Sequence, residues 1–172
     1  MHSGGVRDCR PVDGPLSASA STASMSGDYA LTMVATGGAR DGRSVEGRIS
    51  LHPQDSALVA LEGATQPLVG TAEIALETVG AVLMGDLTGA DGRGPGVGVY
   101  EQRPAGAAPT VVVRLGSVSN ARGPAAFDAG HTTLYVRRIG EGAFAGGWAS
   151  GAGSVSPPQE SRGYFCAVRA GP

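Results

Sequence analysis

Between Ser44 and His52 the chain alternates without a break. Val45, Gly47, Ile49 and Leu51 fall on one side, and Ser44, Glu46, Arg48, Ser50 and His52 on the other. A period of two is the mark of a strand with one buried and one wetted face. The segment Asp28 to Thr36 repeats it, with Tyr29, Leu31 and Met33 on one face and Asp28, Thr32 and Thr36 on the other. Between them runs Gly37-Gly38-Ala39-Arg40-Asp41-Gly42, whose Asp-Gly pair suits a turn with positive φ. Pro53 closes the second strand, since it cannot donate to a ladder. The two segments therefore predict an antiparallel hairpin with a core face and a solvent face.

The same pattern continues down the chain. Ala57 to Leu61 is a weaker strand candidate, and Leu68, Gly70, Ala72, Ile74 and Leu76 alternate with Thr71, Glu73 and Glu77. Val97 to Tyr100 and Thr110 to Leu115 are short and rich in Val. Thr132 to Ile139 places Leu134 and Val136 inward and Arg137 outward. A tight turn, Ile139 to Ala143, leads to a strand with Phe144, Gly146 and Trp148 on one face, and Gly163 to Val168 is the last strand. Eight or nine strands and no helix are expected. Most connections are short, so the strands should follow one another in space. The predicted fold is all-β, an antiparallel meander closed into an up-and-down barrel, which leaves no exposed edge. Gly47, Gly70 and Gly146 supply the bends that closure needs. A two-sheet β-sandwich is the alternative. A membrane barrel is disfavoured, because its strands need about 9 to 11 residues and aromatic girdles, and aromatics make up 5% of this chain.

Composition agrees with a turn-rich domain holding a lean core. Gly contributes 29 residues and Pro 11, about twice their usual share. The formal charge is −2, too small for charge-driven disorder and of the wrong sign to attract nucleic acid. No apolar run approaches the roughly 18 residues of a membrane helix. All 13 basic residues are Arg, so neither a Schiff-base Lys nor a phosphate-binding Walker Lys is available. Residues 1–26 read as a flexible Ser/Ala-rich arm, and 27–172 as one barrel domain. Three longer connections, 78–96, 119–131 and 151–162, interrupt the meander, and the first has room for a short strand at Val82 to Met84.

Cys9 and Cys166 are the two cysteines. They form no CxxC or Cys/His cluster, so no metal site is expected. Paired, they would tie the arm to the last strand; two free thiols are the alternative. A disulfide would imply an oxidising, extracytoplasmic location, periplasmic or secreted. Residues 1–10 contain no apolar signal core, and Val6-Arg7-Asp8 before Cys9 is unlike a lipid-attachment signal.

The opening Gly27-Asp28-Tyr29, a Gly-x-aromatic at the start of the first strand, followed by about eight meandering strands, resembles the calycin-type barrels, the lipocalin and avidin-like families. Lipocalins usually carry Trp where this chain has Tyr29, and the Trp-rich pocket of avidins is missing because Trp148 is the single Trp. The resemblance implies a ligand-holding barrel and no particular ligand.

Catalytic constellations are scarce. The three His are His2, His52 and His131. No Gly-x-Ser-x-Gly elbow occurs. Asp128 and His131 are spaced as a general-base pair could be, but the spacing reads first as a solvated turn. Glu73 and Glu77 share a strand face that is ordinarily wet. The Gly-rich stretch 86–98 has neither Lys nor a following helix, and Asp86 and Asp91 do not match a calcium loop. The doublet Arg137-Arg138 is too small for a nucleic-acid footprint. No cofactor is expected, and an enzyme is the less favoured class. The ligand-binding candidates are Tyr29, Met33, Ile49 and Trp148, as walls of an apolar cavity. Small inward residues at Gly47, Gly70, Ala72 and Gly146 would leave it room. Packing of Trp148 against Phe144 is the plain alternative. The expected function is a non-enzymatic barrel that binds a small apolar ligand inside. The alternative is an accessory or structural subunit of a larger assembly, making protein contacts through the arm and loop 78–96.

Overall fold

The computed structural model describes residues 9–54, 64–83, 86–90, 95–116, 132–151 and 160–170. Eight strands follow in chain order: β1 Gly27–Gly37, β2 Ser44–Pro53, β3 Ala64–Glu73, β4 Val97–Gln102, β5 Thr110–Leu115, β6 Thr132–Gly140, β7 Ala143–Gly151 and β8 Glu160–Arg169. Each pairs antiparallel with the next, and β1 also pairs with β8, so the sheet closes. Closure excludes the sandwich and is compatible with the calycin-type architecture. The weak strand candidate Ala57 to Leu61 lies outside the described residues.

Local chemistry sets the turns. At the first hairpin Gly42 takes φ +87°, its N–H donates to the Ala35 carbonyl, and the Ala35 N–H donates to Arg43. Glu141-Gly142 makes the two-residue turn between β6 and β7, with Gly142 at φ +72°. Bulges fall between Ala35 and Gly37, Thr65 and Leu68, and Val136 and Arg138. They bend the strands and sharpen their twist, as closure requires.

Gly47, Gly70, Gly146 and Gly163 have a more specific reason. A Cβ at Gly70 would lie 1.7 Å from the Ser50 carbonyl oxygen, at Gly146 1.9 Å from that of Tyr135, at Gly47 2.3 Å from that of Glu73, and at Gly163 1.7 Å from that of Val34. At these points the neighbouring backbone fills the space of a side chain. The small inward residues thus let strands approach one another, and they do not by themselves open a cavity.

Inside, the alternating apolar side chains form one buried cluster that includes Leu31, Leu51, Leu68, Val99, Val113, Leu134 and Phe165. Each buried Leu or Phe removed from water is worth roughly 2 kcal/mol. On β7, Phe144, Gly146, Trp148 and Ser150 are buried, and the five residues alternating with them are only partly so.

Both ends of the barrel are stoppered. At one end, residues 9–26 lie against the strands. A short 3-10 turn, Thr22–Met25, buries Thr22 and Met25, and Leu16 joins the core. At the other end the chain leaves the ladder after Glu73 and makes a second 3-10 turn, Leu76–Val79, burying Leu76 and Val79. Ala81 and Leu87 complete this stopper. The alternation through Ile74 and Leu76 had predicted a longer β3. Those apolar residues serve the core from a turn that folds over the barrel mouth. Of the strand expected at Val82 to Met84, Val82 and Leu83 are not in a strand, because Val82 is fastened crosswise, and Met84 lies outside the described residues. Its N–H donates to Ser150 Oγ at 2.6 Å, and its carbonyl accepts from Thr132 Oγ1 at 2.8 Å.

Candidate functional site

The four residues expected to line a cavity all face the interior. Tyr29, Met33, Ile49 and Trp148 are 2% exposed or less. Tyr29 and Ile49 are direct partners across β1 and β2. Met33 pairs with Phe165, and Trp148 with Gly163. The Tyr29 ring meets Phe144 edge-on at 4.9 Å, and Phe144 meets Phe165 at 5.9 Å. The Trp148 indole crosses over Gly163, and its Nε1–H donates to the Val34 carbonyl at 3.1 Å. Tyr29 also works outward, since its hydroxyl donates to the Ser24 carbonyl and accepts from Arg169, whose guanidinium lies 5.6 Å from the ring centre.

The disulfide is present. Cys9 and Cys166 are bonded across 157 positions. From there the N-terminal segment crosses toward β6, where Arg137 donates to the Gly14 carbonyl at 3.3 Å. Arg103 on the far side donates to the Ala18 and Ala20 carbonyls and pairs with Glu101. Glu101 in turn accepts from Thr22 at 3.3 Å. The Glu101/Arg103 clamp was not foreseen. Its only signal is two opposite charges two apart, which a strand places on one face.

Between this segment and the β6–β7 turn lies a groove of about 720 Å³, within the range of ligand sites. Ser17, Ser19, Ser21 and Ser24 line it, with Asp13, Arg137, Arg138 and Glu141 around them. Val12, Leu16, Ala20 and Ile139 supply apolar surface.

A second polar array runs over the outer wall. Gln54 donates to Gln66 at 3.4 Å, and Gln66 to the Tyr100 hydroxyl at 3.2 Å. Tyr100 and Arg114 are hydrogen-bonded to each other. Burial raises the Tyr100 phenol above its ordinary value, and Arg114 partly offsets this. Burial also lowers the Arg114 guanidinium, with Tyr100 opposing. Gly98 makes room for the array, because a Cβ there would lie 2.6 Å from Gln66 Nε2.

The remaining candidates separate. Asp86 accepts from the Thr88 amide at 2.6 Å and from its hydroxyl, contacts that hold the carboxyl below its usual range. It thus organises its own turn. Glu73 ends β3 while Glu77 sits in the 3-10 turn, so they do not share a strand face. His2, His131, Asp128 and Asp91 lie outside the described residues. Among the described residues no group of three His, Cys, Asp or Glu is placed to hold a metal ion, and no helix is long and apolar enough to cross a membrane.

Comparison finds no match for this chain among protein-family models, curated proteins or solved structures.

Proposed function

We propose that this protein is a non-enzymatic interaction module of an oxidising, extracytoplasmic compartment. It acts as an accessory subunit that meets its partner at the end of the barrel covered by the N-terminal segment. The observation that carries this reading is the closing of both ends of the barrel. Both barrel mouths are stoppered by buried apolar side chains. The groove, by contrast, opens on the outside. The disulfide supports the compartment, since such bonds persist where the surroundings are oxidising.

A second reading keeps the small apolar ligand inside, in contact with Tyr29, Met33, Ile49 and Trp148. The apolar side chains buried around these four favour it. Entry would require one stopper to move. Native mass spectrometry of gently purified protein separates the two. A stoichiometric partner with no small molecule supports the interaction module. A bound apolar molecule released on unfolding supports the carrier and overturns the first reading.

A further inference from the structure

We propose that the groove between the N-terminal segment and the β6–β7 turn binds a neutral, hydroxyl-rich ligand, a saccharide unit of a glycan-bearing partner. The inference rests on the reading of this end as the contact surface and names its chemistry. Four charged side chains border the groove, Asp13 and Glu141 against Arg137 and Arg138, so its formal charge is zero. An anionic ligand would face two carboxylates. A cationic one would face two guanidinium groups. A wholly apolar one would strip water from all four without repaying them. A polyol suits every part. Carboxylates accept from its hydroxyls, guanidinium groups donate to them, and serine hydroxyls do either. Its C–H faces would rest on Pro15 and Ile139, giving the mixture of apolar wall and sparse polar groups typical of binding sites.

The wall on one side of the groove is a segment fastened by Cys9–Cys166 and by Arg137 on Gly14. The site is therefore assembled from two distant parts of the sequence, and the disulfide holds one of them in place.

The test titrates oxidised, full-length protein with a panel of neutral tri- and tetrasaccharides of glucose, galactose and N-acetylglucosamine, followed by amide NMR shifts. The proposal expects at least one saccharide to bind and to shift residues within 12–24 and 137–141. Arg138→Ala and Glu141→Gln, both at exposed positions, should each weaken binding by about tenfold. Arg48→Ala, exposed on the opposite wall, should leave it unchanged. The double variant Cys9→Ser/Cys166→Ser should lose binding while its circular dichroism still reports a β-sheet. Folded protein that binds no saccharide at millimolar concentration overturns the proposal. Shifts in the same residues with an acidic or basic peptide instead overturn the saccharide and leave the interaction reading standing. Silence of the groove toward every probe, with a partner captured elsewhere on the barrel, overturns both.

Discussion

An alanine methyl at position 70 would have to share space with the Ser50 carbonyl, 1.7 Å away. Strand backbone cannot yield as a flexible side chain does, so Gly70→Ala should cost about 3 kcal/mol in urea unfolding. Gly140→Ala, whose nearest obstacle is 3.9 Å away, should stay within about 0.5 kcal/mol. The alternation revealed that Gly70 faces inward. It did not reveal what fills the space, because that depends on the register with β2, a relation between two strands that neither encodes alone. Tyr100 gives a prediction in pH. Its folded value is raised above the ordinary 10.0, so the folded state holds that proton longer. Its contribution to stability is complete below about pH 10 and is lost as pH rises through the raised value. Arg114, shifted downward by burial, acts in the opposite sense. The difference in unfolding free energy between the parent and Tyr100→Phe, followed from about pH 8 to 11, should therefore change as Tyr100 ionises, with the parent losing ground.

Both stoppers are built from few residues. Met25 is fully buried two positions before β1, and Met25→Ala should cost about 2 to 4 kcal/mol, measurable as a lower urea midpoint with an unchanged slope. Ser, Ala and Thr dominate residues 11–26 and hide two anchors, Leu16 and Met25, that are too far apart to show a period. The opposite stopper was concealed differently. Leu76 falls in phase with Leu68, Gly70 and Ala72, so the sequence continues the rhythm of a strand after the backbone has left the sheet. The strands themselves were legible, because a half-buried sheet imposes its period directly on the sequence. The groove was not, since its two sides are more than a hundred positions apart.

At the scale of the molecule, β1 and β8 bring the two ends of the meander together, and Cys9–Cys166 ties the segment that precedes β1 to β8. The bridge was readable from two cysteines, one in the arm and one in the last strand, with no other cysteine to pair with. In the chain-entropy picture a loop of this length contributes about 5 kcal/mol. Cys9→Ser/Cys166→Ser should lose much of that in urea unfolding compared with the oxidised parent. The same bond decides how the molecule bears tension. Handles attached before Cys9 and after Cys166 would pull on one covalent link, and of the hydrogen-bonded ladders only the last residues of β8, 167–169, would lie in the path of the load. Under an optical trap the oxidised protein should extend as a short inert tether with no unfolding step. Once the link is cut by a reductant, the 157 intervening positions come under force and should release roughly 550 Å of chain at about 3.5 Å per residue. The barrel is thus a spring held behind a closed clasp, mechanically silent to anything that tugs at its ends until the clasp is opened.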